Sequence, residues 1–188
     1  MLTGRGRYVS DWNLPGQAHG HFLRADRPHA RIASVDASGA LGMPGVLAVL
    51  TGDDIDAAGL QSLTAAAPMK GRGGAEQAKP PHPVLAQGRV RYVGEPVALV
   101  VAETAAQAQD AAEAVMVDYE DLPAVVEARE ALAEGAPRVH DEVASNLVLD
   151  FAGGDAEATR NAFRKAAKVV TMSAHHTRVV GNPMEPRA

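Results

Sequence analysis

Cysteine is absent from this 188-residue chain, which excludes disulfides, thiolate metal sites and cysteine nucleophiles outright. That absence suits a reducing cytoplasm, the compartment expected here. Positive charge is also scarce. Eighteen Lys and Arg stand against 23 Asp and Glu, for a net charge of −5, and no basic tract interrupts the chain. A phosphate backbone is bound by clustered cations, so nucleic acid is not an expected partner. No apolar run approaches the ~20 residues that cross a bilayer. The opening MLTGRGRYVSDW lacks the apolar stretch of a secretory signal, so neither a membrane nor export is expected. Aromatic residues are few: one Trp, three Tyr and three Phe. A core built from Ala and Val buries little area per side chain and must rely on close approach of helix to sheet. The length fits one ordinary domain, or one domain and a piece of another.

What is present reads as strands and helices in alternation. AHGHFL (18–23) is a strand after the Leu14-Pro15-Gly16 turn, and ARIASVDAS (30–38) alternates as a second. VLAVLT (46–51) is a nearly continuous apolar run, the pattern of a strand buried on both faces. TGDDI follows as a helix start, with Asp53 and Asp54 near the positive end of the helix dipole. Between Thr64 and Pro83 no periodicity survives, and Gly, Pro and Lys predict a mobile loop. Its KGRGG is not a phosphate cradle, because it lacks both the Walker pattern and Gly-x-Gly-x-x-Gly.

RVRYV (89–93) is a strand candidate, interrupted by a turn or bulge at Gly94-Glu95-Pro96. VALVVA (97–102) has the β-branched character of a central strand. Thr104 with Gln107 forms a capping box, after which Ala105, Ala108, Ala112 and Val115 share one helical stripe. MVDYED (116–121) returns as a strand with Val117 and Tyr119 on one face, and Pro123 ends it. A loop with Gly135, Pro137 and His140 leads to SNLVLDFAGGDAEATRNAFRKAAKVVTMSAHHTRVV. This stretch predicts a strand, a turn, a helix capped by Asp155 with Ala162, Phe163 and Ala166 facing inward, and another strand.

No constellation carries chemistry. His19 and His21 lie on one strand face, but two ligands without a third make a poor metal site. His175 and His176, adjacent, face opposite sides. Glu120-Asp121 reads as a solvated strand end, and no Gly-x-Ser-x-Gly elbow is present. No catalytic, cofactor-binding or metal-binding residue is assigned. The residues by themselves describe an α+β scaffold.

The order of the pieces adds an identity. TGRGRYVSDWNLPG, HGHFLRADRPHARIASVDAS, GVLAVLTGDDI, HPVLAQGRVRYVGEPVALVVAETAAQAQDAAEAVMVDYEDLPAV and NPMEPRA resemble, over essentially the whole chain, the start of the large molybdenum-binding subunit of the xanthine dehydrogenase, aldehyde oxidase and carbon monoxide dehydrogenase family. RADRPHARI departs from the commoner Arg-Ser-Pro-x-Ala-His-Ala form and leaves the subfamily open. The resemblance implies an α/β-hammerhead domain over residues 1–143 and, over 144–188, the incomplete start of the molybdopterin-binding domain. It implies a molybdenum-pterin cofactor in the complete enzyme, iron–sulfur and FAD groups on partner subunits, and oxidation of aldehydes, purines or a related small substrate. The family's catalytic glutamate comes later than this segment, and Glu185 does not occupy its position. The chain is therefore expected to support chemistry held elsewhere and to be inactive alone. The alternative is a stand-alone, non-catalytic binding module derived from the same scaffold.

Overall fold

Two three-stranded antiparallel sheets organise residues Ala18–Phe151 in the computed structural model, which describes residues 3, 5–63 and 69–174. The first sheet has the order β1 (His19–Arg24), β5 (Pro96–Ala102), β3 (Val46–Thr51). The second has the order β4 (Arg89–Val90), β2 (Ala30–Asp36), β6 (Met116–Asp121). The helices of this unit are α1 (Ser38–Leu41), α2 (Gly52–Ala57) and α3 (Ala105–Glu113).

β5 is the central strand that its β-branched run predicts. Its register sets the two faces of the first sheet, because directly opposed residues of antiparallel strands point the same way. His21, Val100 and Val49 form one row, and Phe22, Leu99 and Leu50 form the next row on the opposite face. α3 covers the Val100 face. There Ala40, Val100, Ala111, Ala112 and Val115 form a buried cluster, with Leu23, Val46 and Val49 packed on it. A second cluster joins Ala25, Ala30, Ala86, Val90 and Val97, with Ile32, Val117 and Tyr119 of the second sheet against it. The largest fully buried side chains are Leu85, Val90, Val97 and Val100. Small side chains here let backbone approach backbone, as the composition predicts.

Local chemistry fixes the element ends. Thr104 caps α3, its Oγ1 accepting the Gln107 N–H at 3.2 Å. The predicted return arm differs, because Gln107 Oε1 accepts from the Thr104 hydroxyl (2.9 Å) instead of from its backbone. At α2 the Asp54 carboxylate accepts from the Thr51 N–H (2.7 Å) and hydroxyl (2.9 Å). The backbone bond first, then the hydroxyl, hold Asp54 below the usual carboxylate range. Gly94 sits at φ +93°, where a side chain is strained. Its N–H donates to the Ala25 carbonyl (2.7 Å), the Ala25 N–H donates to the Glu95 carbonyl (2.9 Å), and Arg24 Nη1 donates to the Gly94 carbonyl (2.8 Å). The Gly-Glu-Pro turn is thus fastened to the end of β1, where the register shifts and Pro96 starts β5 without needing an amide donor.

Several sequence expectations are corrected. β3 is an edge strand, half-buried and with Leu47 56% exposed, because β5 takes the centre and a short apolar run looks alike in both positions. The predicted strand 89–93 keeps only Arg89–Val90, since the Tyr92–Glu95 turn, closed by the Glu95 N–H on the Tyr92 carbonyl (3.2 Å), takes the rest. On α3 the inward stripe is Ala108, Ala111, Ala112 and Val115. Ala105 shares that face by helical spacing but, at the first helical position, is exposed. Residues 145–151 form no strand. They are held irregularly, with Arg72 N–H donating to the Asp150 carbonyl (2.7 Å) and Ala78 N–H to Val148 (3.0 Å). The loop before them, as far as it is described, carries a 3-10 turn at Arg72–Gly74 and is tied in by these bonds.

The second unit comprises Met1–Gln17 with Ala152–Ala188. Its helix α4 (Ala156–Lys165) has the predicted Asp155 cap, whose carboxylate accepts the Ala158 N–H at 2.8 Å. Its inward stripe is not buried among the described residues: Phe163 is 60% exposed. The strand expected after it does not form as far as Ala174, and His175, His176, Glu185 and the NPMEPRA segment lie outside the described residues.

Candidate functional site

The titratable residues singled out by the sequence do not converge. His19 and His21 do share a face, opposite Ala102 and Val100 in the register. Among the described residues no third His, Cys, Asp or Glu joins them to form a ligand set. Glu120 and Asp121 end β6 in solvent, where each meets a cation: Arg31 lies 3.0 Å from Glu120 and Arg27 3.5 Å from Asp121. Exposed pairs of this kind contribute little. The cations of KGRGG are also answered from within the chain, Lys70 by Glu76 and Arg72 by Asp150 at 3.1 Å.

Two buried polar residues were not legible as such. His29 is 5% exposed, with Nδ1 2.7 Å from the Pro123 carbonyl. A carbonyl only accepts, so Nδ1 carries the proton, and with the Leu122 N–H on the His29 carbonyl (2.9 Å) it fastens the end of β6 to the start of β2. Glu95 is 4% exposed, and its carboxylate accepts the Arg91 N–H inside the turn. Both bonds join residues to backbone. These are fastenings, which burial and partner identity reveal and local sequence does not.

Among the described residues lies an apolar groove of about 270 Å³. Pro80, Val125, Ala131, Val139, Val143 and Val148 line it, from segments far apart along the chain. Asn146 builds its rim. Its Nδ2 donates to the carbonyls of Ala131 (3.0 Å) and Pro137 (2.9 Å), and its Oδ1 accepts the Val139 N–H (3.0 Å). The loop is tied to β4 by Arg89, which lies 3.0 Å from Asp141. Arg89, by hydrogen bond and then by charge, holds the Asp141 carboxyl below the usual range. The Glu142 carboxyl is lowered as well, first by a backbone hydrogen bond and then by His140. Walls mostly of Val, Ala and Pro, with Asn146 bonded to the chain's own backbone and His140 to Glu142, offer a seat for apolar side chains.

Comparison with known proteins gives this geometry a setting. The family model described as aldehyde oxidase and xanthine dehydrogenase, a/b hammerhead domain, matches residues 3–123. The nicotine 6-hydroxylase large subunit of Paenarthrobacter nicotinovorans is 39% identical over 191 residues, covering 100% of this chain and 22% of that protein. Among solved structures, quinoline 2-oxidoreductase from Pseudomonas putida 86 superimposes with a TM-score of 0.69 at 44% identity, over 78% of this chain and 18% of that one. The Cu,Mo-CO dehydrogenase in its carbon monoxide reduced state gives a TM-score of 0.68 at 34% identity, over 89% and 21%. The chain spans about a fifth of the length of the relatives it matches.

Proposed function

The chain belongs to the aldehyde oxidase and xanthine dehydrogenase family, and on that premise we propose that it is the N-terminal portion of a molybdenum hydroxylase large subunit. Its work is support. It holds in place the domains that carry a molybdenum-pterin centre and oxidise an aldehyde, a purine or a related small substrate. Residues 1–143 are the hammerhead domain, and 144–188 begin the molybdopterin-binding domain, although the compact unit runs on to Phe151. The unburied stripe of α4 supports that division, because Phe163 in an amphipathic helix needs a surface to pack on. Iron–sulfur and FAD subunits complete the electron path, and the cytoplasm is the proposed location. Among the described residues no helix is long and apolar enough to cross a membrane.

The observation that carries this reading is the groove. Its walls are mostly apolar, and Asn146, which shapes its rim, bonds to the chain's own backbone. A molybdenum-pterin group does not fit such a donor set, since a pterin and its metal oxygens require converging hydrogen-bond donors and a carboxylate near the reacting atoms. Among the described residues the two buried ionisable side chains, His29 and Glu95, each bond to backbone, and His29 Nε2 is left without a partner. None of the described residues is assigned a step of the oxidation.

The test is co-expression with a polypeptide supplying the remaining large-subunit domains, in a host that makes the cofactor. A complex with stoichiometric molybdenum and dye-linked aldehyde or purine oxidation is expected. The 188-residue chain purified alone should carry no molybdenum and turn nothing over. Stoichiometric metal or turnover in the lone chain would end the support reading.

A further inference from the structure

The first sheet has a second face on which its own unit buries only the Val97 end, against the second sheet, and leaves the rows beyond Val97 outside both buried clusters. We infer that this face, made by Phe22, Leu99 and Leu50 in one row and Gly20, Val101 and Ala48 in the next, is the surface on which the rest of the large subunit docks. This inference rests on the proposed function and adds the place of contact to it.

The register defines the rows. Phe22 opposes Leu99 and Leu99 opposes Leu50, while Gly20 opposes Val101 and Val101 opposes Ala48. α3 covers the alternate residues, and both buried clusters of the unit are built without any of these six. Phe22 is 39% exposed, and Leu99, Leu50, Val101 and Ala48 are half-buried. No charged side chain interrupts the rows. Arg24 lies at the margin, its guanidinium 5.7 Å from the Phe22 ring centroid while it donates to the Gly94 carbonyl. Gly20 contributes by what it lacks. A Cβ there would stand 3.2 Å from Leu99 Cδ1, so the glycine makes the recess in which Leu99 lies across the row.

Size identifies the occupant. Three strands ~4.8 Å apart and two rows ~7 Å apart along the strands cover about 200 Å². A free-standing complex needs about 800 Å² from each partner, so a second copy meeting this face alone would not stay bound. A patch this small suffices where the two surfaces belong to one subunit and are held together already, since a second contact then forms at high effective concentration. The relatives are about five times as long as the matched segment, which leaves four-fifths of such a subunit to provide a covering surface. The occupant is therefore an apolar face of the domains that complete the large subunit.

The cysteine-free sequence allows a direct test. Phe22→Cys and Leu50→Cys place single thiols on the face, and Gln109→Cys places a control on the exposed side of α3. Each variant is labelled with a maleimide, alone and assembled with the rest of the large subunit, and the modification is read by mass on this chain's own peptides. On assembly the Phe22→Cys and Leu50→Cys thiols should slow by at least roughly tenfold, because a covered thiol reacts only when its site opens. Gln109→Cys should not change. Assembly with unchanged rates at both face positions would overturn the docking face and leave the support function standing. Slow labelling already present in the lone chain would mean that another part of this chain covers the face, or a second copy if the slowing grows with concentration, and either result overturns the inference. Failure to assemble at all would sink the support function itself and this occupant with it.

Discussion

Gly52 provides the sharpest test of the packing. It opens α2, and glycine at a helical position is ordinarily a weakness that Ala improves by about 0.5–1 kcal/mol. Here the sign should reverse. A Cβ on Gly52 would stand 2.3 Å from the Ala86 carbonyl oxygen, 3.1 Å from the Ala86 carbonyl carbon and 3.3 Å from Gln87 Cα. All three are backbone atoms, so no side-chain rotation relieves the clash. Ala86 is itself buried, and its N–H donates to the Pro96 carbonyl at 2.7 Å, which leaves its peptide little room to retreat from β5. Overpacking of this kind costs up to about 3 kcal/mol. Set against the gain of under about 1 kcal/mol in the unfolded chain, Gly52→Ala should lose about 2 kcal/mol. For a chain of this length that is a fall in Tm of about 6 °C. Gly42→Ala is the matched control. Gly42 has φ −80°, and an added Cβ would meet nothing closer than 3.7 Å, so that variant should be neutral or slightly stabilised. Urea denaturation with scanning calorimetry measures both. If Gly52→Ala is as stable as Gly42→Ala, the close approach of α2 to the segment before β4 is not present in solution.

Two further outcomes follow from named side chains. Ala108 is fully buried on α3, so Ala108→Glu forces a carboxyl group and added volume between helix and sheet and should cost about 3 kcal/mol or more. Unchanged urea denaturation would move Ala108 off the packed stripe. Asp141 is held below 3.8 chiefly by Arg89. A depressed carboxylate stabilises the fold fully above its unfolded value and loses that contribution as pH falls through the lower folded value. The difference in stability between the parent and Asp141→Asn should therefore persist through neutral pH and vanish only well below 3.8. A carboxyl-carbon NMR titration of Asp141 with a midpoint at or above 3.8 would contradict the Arg89 contact.

The strands at 19–24, 30–36, 96–102 and 116–121 were legible because each announces itself within a few residues. β-branched runs, alternation, Pro and Gly punctuation and the Thr104 cap are local signals, and local signals survive without a fold. The family was legible by resemblance, through the order of the quoted pieces, and the Arg-Tyr-Val-Gly-Glu-Pro turn among them holds a positive φ at Gly94, an inward carboxylate at Glu95 and a missing donor at Pro96. β3 was misjudged as buried on both faces because five apolar residues in a row read the same at an edge and at a centre. What separates the two is the neighbour on either side, and β5, which pairs with β3, lies some fifty residues further on.

The candidate site was not legible at all. Its groove gathers Pro80, Val125, Val139 and Val148 around Asn146, and no spacing in the chain marks these residues as a set. His29 and Glu95 look like any surface His and Glu until the partners that bury them are known. By itself the sequence determined the class of fold, the positions of most elements and the absence of thiol chemistry, since these depend on composition and on neighbours within a few residues, while the order of its pieces carried the resemblance to the family. The tertiary structure alone decided which strand stands at the centre, which sheet face α3 covers and which it leaves open, where Gly52 must stay a glycine and where the groove lies. Those depend on contacts between residues far apart in the chain, and such contacts exist only once the chain has closed on itself.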